Sequence, residues 1–243
     1  MKKIVYLMMG AALTCLSSCM EIDNWDEPDA RFYGRVIDSY TGENILASQD
    51  DWKIRIWERS WTEGEPNHQE LRIQQDGTYN NTKLFAGTYD MLPYGGPFWP
   101  CDTTKNVVLQ KSHEQDFTVT PYLQVLDFNT SLNGTELTLT CRLKAPRRDG
   151  LPNLYEIKPF LSLTTFCGNG NNSYINIGEY NDKRIQINKS WQDEVGDSDT
   201  SPLYTIGPLP VKSGYTYYVR VGAAVNDANR KHNYSNIVVV TVP

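Results

Sequence analysis

Histidine is scarce in this sequence of 243 residues, and the paired motifs that hold a metal or activate a nucleophile are missing. The three histidines, His68, His113 and His232, lie in separate segments, and no His-x-x-x-His or Cys-x-x-Cys spacing occurs. The Gly-x-Ser-x-Gly nucleophile motif does not occur either. Catalytic groups can also converge from distant segments, but no motif here points to an enzyme. We therefore expect a non-catalytic protein that uses no cofactor.

Positive charge is also in short supply, because 23 Lys and Arg residues stand against 29 Asp and Glu residues, for a net charge of −6. Excess negative charge repels a phosphate backbone, so nucleic acid is not an expected partner. The apolar run over residues 4–16 is shorter than the roughly 20 residues that a transmembrane helix needs. Two lysines precede this run and two serines follow it, which predicts a secretory signal peptide over residues 1–18.

The end of this signal carries a more specific pattern. The sequence Leu16-Ser17-Ser18-Cys19 resembles the lipobox of bacterial lipoproteins. The resemblance implies that Cys19 is acylated through its sulfur and becomes the first residue of the mature chain. Several acyl chains, at about 0.8 kcal/mol per buried methylene, would form a stable membrane anchor. An ordinary secreted protein, cleaved near the same place, is the alternative.

Residues 19–30 are rich in acidic side chains and poor in apolar ones, so we interpret them as a solvated tether. Acidic residues directly after a lipidated cysteine resemble the export signal of Bacteroidetes lipoproteins. That resemblance implies an outer-membrane protein that faces the cell exterior. A plain linker explains the same composition.

The composition of the rest predicts an all-β protein, because the chain has 15 Tyr, 6 Trp, 17 Gly and 13 Pro and no long segment with helical periodicity. Trp52, Ile54 and Ile56 alternate with polar neighbours, as in a half-buried strand. Asp76-Gly77 marks a tight turn. Several such short segments predict an antiparallel β-sandwich over residues 31–120.

A second antiparallel β-sandwich is predicted over residues 121–243. The sequence Thr120-Pro121-Tyr122 indicates a boundary, and Leu137, Leu139 and Cys141 then alternate with threonines.

The first half contains five short motifs in a characteristic order. They are Phe32-x-Gly34-x-Val36, Thr41-Gly42-Glu43, Asp76-Gly77-Thr78-Tyr79, Lys83-Leu84-Phe85-x-Gly87-x-Tyr89 and Gly96-Pro97-Phe98. This order resembles two-domain lipoproteins of unknown function from Bacteroidetes, encoded beside starch-utilisation-type glycan uptake systems. Their first domain resembles the regulatory, transthyretin-like sandwich of carboxypeptidases. An outer-membrane glycan transporter complex is the partner that this resemblance implies.

The segment 214–223 resembles strand F of fibronectin type III domains. In that resemblance Tyr217 takes the tyrosine-corner position, with its ring in the core and its hydroxyl bonded to nearby backbone. The segment 234–242 resembles the closing strand G.

Three cysteines follow Cys19, and an exported protein can form disulfides. Cys141 and Cys167 lie in the same half and are the favoured pair. The alternative, in which they and Cys101 are three buried thiols, has equal weight.

Two loops could suggest ligands. Residues 168–173 are rich in Gly and Asn, but no helix pattern follows, so we predict a flexible turn and not a phosphate loop. Residues 193–199 hold four acids, and Asp193, Asp197 and Asp199 could supply oxygen ligands to calcium. Their spacing matches no EF-hand, so a solvated loop without a metal is the preferred interpretation.

Aromatic side chains are abundant in this sequence and are the main candidates for ligand binding. Sugar rings stack their C–H faces on aromatic rings, while their hydroxyls bond to polar side chains. Rings near turns are therefore candidate ligand-binding residues, and the alternative is that they fill the sandwich cores. The candidates are Trp57, Trp61, Tyr94, Trp99 and Trp191.

Two functions fit these patterns. The first is a non-catalytic outer-membrane lipoprotein that assists the capture and uptake of oligosaccharides or polysaccharides at the cell surface. The second is a membrane-anchored structural or adhesive module that binds another protein.

Overall fold

The computed structural model describes residues 27–61, 64–170 and 172–243. The predicted signal peptide over residues 1–18, the acylation of Cys19 and the tether before Glu27 lie outside the described residues and stay predictions. In the ranges that are described, every helix is too short or too polar to cross a bilayer.

The first domain is built from two sheets that enclose one hydrophobic core. In one sheet β1 (Ala30–Asp38) is central and pairs with β4 (Thr78–Leu84) on one side and with β7 (Ser112–Glu114) and β8 (Phe117–Val119) on the other. The second sheet has the order β3-β2-β5-β6. Its strands are β2 (Lys53–Glu58), β3 (Gln69–Arg72), β5 (Gly87–Tyr94) and β6 (Thr104–Leu109).

The period-two pattern decides which side chains enter this core. Ile54 and Ile56 of β2 are fully buried, together with Trp52 just before the strand, while Trp57 lies on the outer face and is only partly buried. Successive side chains of a strand point to opposite faces, so the alternation in the sequence predicts this arrangement. The all-β prediction is confirmed.

One edge of the first sheet needs a glycine. The strands β7 and β8 run parallel to β1, one after the other, and the residues between them bulge towards Gly34. A Cβ atom at position 34 would overlap the backbone carbonyl of Gln115. Gly34 is therefore required by the close approach of two backbones.

The second domain also consists of two sheets around one core. The first sheet has the order β13-β10-β9 and the second the order β12-β11-β14, with β15 and β16 in succession along the other edge of β14. The strands are β9 (Gln124–Asn133), β10 (Glu136–Lys144), β11 (Leu154–Ser162), β12 (Ile185–Lys189), β13 (Tyr204–Pro210), β14 (Thr216–Val225), β15 (His232–Tyr234) and β16 (Val238–Thr241). Two one-turn helices, α1 (Gly178–Asn181) and α2 (Trp191–Glu194), lie between β11 and β13.

Tyr217 behaves as the sequence predicts. Its ring is buried in the second core, and its hydroxyl accepts a hydrogen bond of 3.1 Å from the backbone N–H of Lys212, five residues earlier. This geometry agrees with a tyrosine corner.

The favoured disulfide is wrong, because Cys101, Cys141 and Cys167 are all free thiols. Cys141 lies in the core between the two sheets of the second domain, whereas Cys167 packs with Phe160 on the outer face of the β11–β14 sheet. Two thiols on opposite faces of a sheet cannot meet the short Cα separation that a disulfide requires.

The two domains are joined by buried polar contacts. The Arg220 guanidinium, on the outer face of β14, donates a hydrogen bond of 2.7 Å to the Ala47 carbonyl of the first domain. The backbone N–H of Gly170 donates to the Ser48 hydroxyl at 2.8 Å. Gly170 and Ser173 lie in the segment 168–173, which the sequence predicts as a flexible turn, and both contact the first domain through Ser48 and Gln49.

The start of the described chain lies far from the second domain. Ala30, the first residue of β1, pairs with Leu84 at the far end of β4. Asp38, the last residue of β1, accepts a hydrogen bond of 2.6 Å from Gln124 at the start of β9. Nine residues of extended strand, about 30 Å, therefore separate the chain start from the domain interface.

The C-terminus lies at the opposite end of the molecule. The strand β9 runs from the interface to the hairpin that connects it with β10. The backbone N–H of Val211 bonds to the Thr135 carbonyl in this hairpin, and the N–H of Gly214 bonds to the Val242 carbonyl. The last residues of the chain are thus held beside the far end of the second domain.

Candidate functional site

The five aromatic residues singled out from the sequence do not form one surface. Trp61 and Tyr94 are exposed, Trp57 and Trp99 are partly buried, and Trp191 is buried with 5% of its surface exposed.

Trp191 packs into the second core at the start of α2, and its indole N–H donates a hydrogen bond of 2.8 Å to the Ser198 carbonyl. Since the ring is buried and its N–H is used, it offers no face to a ligand. The prediction that Trp191 binds a ligand is therefore wrong.

The acidic loop after α2 does not form a calcium site. Asp193 accepts a hydrogen bond from the Ser190 hydroxyl, Asp197 accepts one from Gln192, and Asp199 lies 3.6 Å from the Lys144 ammonium. Each carboxylate thus has a partner of its own. Within the ranges 27–61, 64–170 and 172–243, no three potential metal ligands come together.

Each of three other candidate rings packs against one neighbouring side chain. The Arg147 guanidinium lies 4.3 Å from the centroid of the Trp99 ring, and the Arg55 guanidinium lies 3.4 Å from the centroid of the Tyr94 ring. Trp57 packs beside His68 on the outer face of β2. A cation over a ring face occupies the surface on which a sugar would stack, so Tyr94 and Trp99 are weak platforms.

Trp61 has a different environment, because it pairs with a second exposed ring. The centroids of Trp61 and Phe85 lie 5.9 Å apart and their planes are tilted by 58°. Trp61 is 53% exposed and Phe85 is 42% exposed. We call these two rings the aromatic platform.

The aromatic platform borders a cavity of about 420 Å³ at the end of the first domain. The lining combines apolar rings with three polar side chains, which is the character of a small-molecule site. The lining residues are Glu58, Trp61, Gln69, Lys83, Leu84, Phe85 and Tyr89.

The local chain holds the aromatic platform in place. Phe85 lies in the turn between β4 and β5, and its carbonyl accepts a hydrogen bond of 2.8 Å from the buried Tyr89 hydroxyl. Trp61 follows Ser60, whose hydroxyl accepts a hydrogen bond of 2.7 Å from the Thr88 backbone N–H. These bonds tie Ser60, the residue before Trp61, to the start of β5 and tie Phe85 to Tyr89 of the same strand.

Four polar side chains stand around the rings of this cavity. Burial, together with the nearby Glu58 charge, raises the pKa of Tyr89 to about 12, so its hydroxyl stays protonated at neutral pH. One oxygen of Glu58 accepts a hydrogen bond of 2.6 Å from the Ser60 N–H. Gln69 and Lys83 add an amide and an amino group to the lining.

A larger groove, of about 550 Å³, lies between the two domains, but its chemistry differs. Its lining is mostly polar, and Asp38 in its wall already accepts hydrogen bonds from Gln124 and from the Tyr40 backbone N–H. Tyr234, an aromatic side chain in the lining, is buried. The smaller cavity is the stronger candidate because it offers exposed ring faces.

His232 and Glu156 form a buried pair on β15 and β11, with the imidazole Nε2 3.1 Å from a carboxylate oxygen. Burial alone would raise the pKa of Glu156, but the hydrogen bond from His232 and the charges of His232, Arg184 and Lys158 outweigh it and hold this pKa below its usual value. Since both side chains are buried, we interpret the pair as structural.

Phe85 was missed as a binding residue by the sequence reasoning. The turn signature around Gly87 was visible, but it predicts a turn and does not show which ring lies beside it.

Comparison with protein families gives two matches that together span most of the chain. The family described as "Protein of unknown function (DUF3823) N-terminal domain" matches residues 30–120, and "Domain of unknown function (DUF3823_C)" matches residues 123–239. No curated protein matches the sequence.

Several solved structures with the same fold come from Bacteroides and Parabacteroides species. A proposed carbohydrate-binding protein from Bacteroides uniformis has 26% identity and a TM-score of 0.69, over 88% of this chain and 99% of that one. A DUF3823 family protein from the same species has 21% identity and a TM-score of 0.70, over 89% and 100% of the two chains. One from Parabacteroides merdae has 19% identity and a TM-score of 0.66, over 89% and 100%.

None of these three descriptions is that of an enzyme. Both family domains occur here in the same order, and the whole two-domain fold is shared with these structures. The chain is a member of the two-domain DUF3823 family.

Proposed function

We propose that this protein is a non-catalytic accessory lipoprotein that binds glycans at the bacterial cell surface through the aromatic platform. The observation that carries the proposal is the pair of exposed rings, Trp61 and Phe85, beside a cavity with polar side chains. The description of the relative from Bacteroides uniformis as a proposed carbohydrate-binding protein supports the same ligand class.

The chemistry of the cavity suits a sugar. A pyranose ring has apolar C–H faces that stack on the indole of Trp61 or the phenyl ring of Phe85. Its hydroxyl groups both donate and accept hydrogen bonds, and Glu58, Gln69 and Lys83 offer acceptors and donors at the rim. Because hydrogen bonds within the protein already hold Ser60 and Phe85, the conformational entropy lost on binding is reduced.

The same proposal places the protein on the outer membrane, facing the cell exterior. Acylation of Cys19 would hold the protein at the outer membrane, and the acidic residues after it support display on the cell exterior. Association with an outer-membrane glycan transporter complex follows from the family resemblance. Incorporation of labelled palmitate into the wild-type chain but not into Cys19→Ala, with protease shaving of whole cells, tests the anchor and the topology.

A glycan array tests the binding function. We expect the protein to bind a subset of soluble glycans, and the signal to be lost in Trp61→Ala. Tyr215→Ala is the matched control, because Tyr215 is similarly exposed, at 47%, near the far end of the second domain. An array on which the wild-type protein binds nothing, together with a co-purifying outer-membrane protein, would favour the adhesive module instead.

A further inference from the structure

The aromatic platform lies at the end of the molecule where the described chain begins. Ala30 pairs with Leu84, the residue directly before Phe85. The spacing between paired strands is about 5 Å, so the chain start and the platform are close neighbours. The cavity therefore opens near the attachment point of the tether.

The tether limits how far this end can stand from a membrane. Eleven residue steps separate Cys19 from Ala30. A fully extended chain covers about 3.3–3.6 Å per residue, so these steps reach at most about 40 Å. The second domain and the C-terminus lie at the end of the molecule opposite to Ala30, so an anchor at Cys19 would place them farther from the membrane than the platform.

The shape of the aromatic platform limits the ligand in a second way. The planes of Trp61 and Phe85 are tilted by 58°, so the two rings cannot lie together on one flat surface. A crystalline polysaccharide presents flat rows of coplanar sugar rings, which only one of the two rings could follow. A single chain whose neighbouring sugars turn relative to each other can contact both rings.

From these two constraints we infer that the platform takes a soluble, single-chain oligosaccharide on the membrane-facing side of the protein, and not the surface of an insoluble polysaccharide. This inference rests on the proposed function and on the anchor at Cys19. The anchored protein then holds short chains close to the membrane, while the second domain keeps large particles at a distance.

The test compares two orientations of the same protein on lipid vesicles. In one, the full-length lipidated protein is inserted through Cys19. In the other, Cys19→Ala is held by a C-terminal His-tag on nickel-chelating lipid, which turns the platform outward because the C-terminus lies at the opposite end. The probes are maltoheptaose, cellohexaose, xylohexaose and mannohexaose, each with a fluorophore and each coupled to micrometre-sized beads.

We expect both orientations to bind at least one soluble probe with equal affinity, within about twofold. Only the C-terminally held protein should capture beads that carry that probe, and Trp61→Ala should weaken both signals by about fivefold or more. Equal bead capture by the Cys19-anchored protein would overturn the inference and leave the proposed function intact. If neither orientation binds any of the four soluble probes, that result would instead contradict the proposed function.

Discussion

Replacing Arg220 by alanine is expected to uncouple the two domains, because this side chain reaches from β14 into the first domain. It is 1% exposed, and its guanidinium donates a hydrogen bond of 2.7 Å to the Ala47 carbonyl. The same group lies 3.7 Å from the centroid of the Tyr234 ring. Alanine would remove both contacts and leave a buried carbonyl without its donor.

The expected loss in the free energy of unfolding follows from these two contacts. A hydrogen bond from a charged donor contributes about 1.5–3 kcal/mol, and a desolvated cation–π contact about 2 kcal/mol. Burial disfavours the charged guanidinium and lowers the pKa of Arg220, so relief of that desolvation offsets part of the loss. We expect the free energy of unfolding to fall by about 3–4 kcal/mol in Arg220→Ala, and by less in Arg220→Met, which keeps most of the volume.

Urea unfolding and differential scanning calorimetry measure the effect. The wild-type protein should unfold in one transition, and Arg220→Ala should show two, one for each domain. Arg72→Ala is the control, because the Arg72 side chain is 77% exposed and pairs with Asp50 at the surface; its effect should stay below about 0.5 kcal/mol. A single transition in Arg220→Ala, with a loss below about 1 kcal/mol, would refute this reasoning.

Three further outcomes are expected. Since the pKa of Glu156 is held below its usual value, its ionisation stabilises the fold above pH of about 4.5 and less as the pH falls through the lowered pKa. Glu156→Gln should therefore be less stable by about 1–3 kcal/mol at pH 7, and in urea titrations this difference should narrow as the pH falls through the lowered pKa of Glu156. Burial raises the pKa of Cys141 to about 12 and of Cys167 to about 11, so neither thiol should react with Ellman's reagent at pH 8 until the protein is denatured. A disulfide found in the denatured, unreduced protein would contradict the free thiols. Gly34→Ala should lower the free energy of unfolding by about 1–3 kcal/mol, because its Cβ has no space; an unchanged urea midpoint would contradict that.

Most of the fold could be predicted from the sequence, because side chains alternate between the two faces of a strand and this alternation is visible in the sequence. Trp52, Ile54 and Ile56 are buried as period two requires, and the Tyr217 hydroxyl bonds to nearby backbone as the tyrosine-corner resemblance implies. The short helix α2 was harder to foresee. Four residues carry too little periodicity to predict a helix, so the sequence left open whether Trp191 is exposed to a ligand or buried in the core.

The candidate site depends on contacts between distant segments, which a single sequence does not fix. Trp61 and Phe85 are 24 positions apart and meet because β2 pairs with β5. Gly170 and Ser173 of the Gly- and Asn-rich segment likewise contact Ser48 and Gln49, more than 120 positions earlier in the chain, which the sequence of the segment does not reveal. Cys141 and Cys167 are in one domain but on opposite faces of a sheet, which only the strand order reveals.

Calorimetric titration of the best soluble glycan from the array tests the central claim most directly. The titration is made with four proteins, which are the wild type, Trp61→Ala, Phe85→Ala and Tyr215→Ala. Stacking of a nucleobase on an aromatic side chain contributes about 1–3 kcal/mol, and we use the same range for the C–H face of a sugar, which is a change in Kd of about 5- to 150-fold. We predict a loss of that size for each platform variant and an unchanged Kd for Tyr215→Ala. Unchanged affinity in both Trp61→Ala and Phe85→Ala would contradict the account.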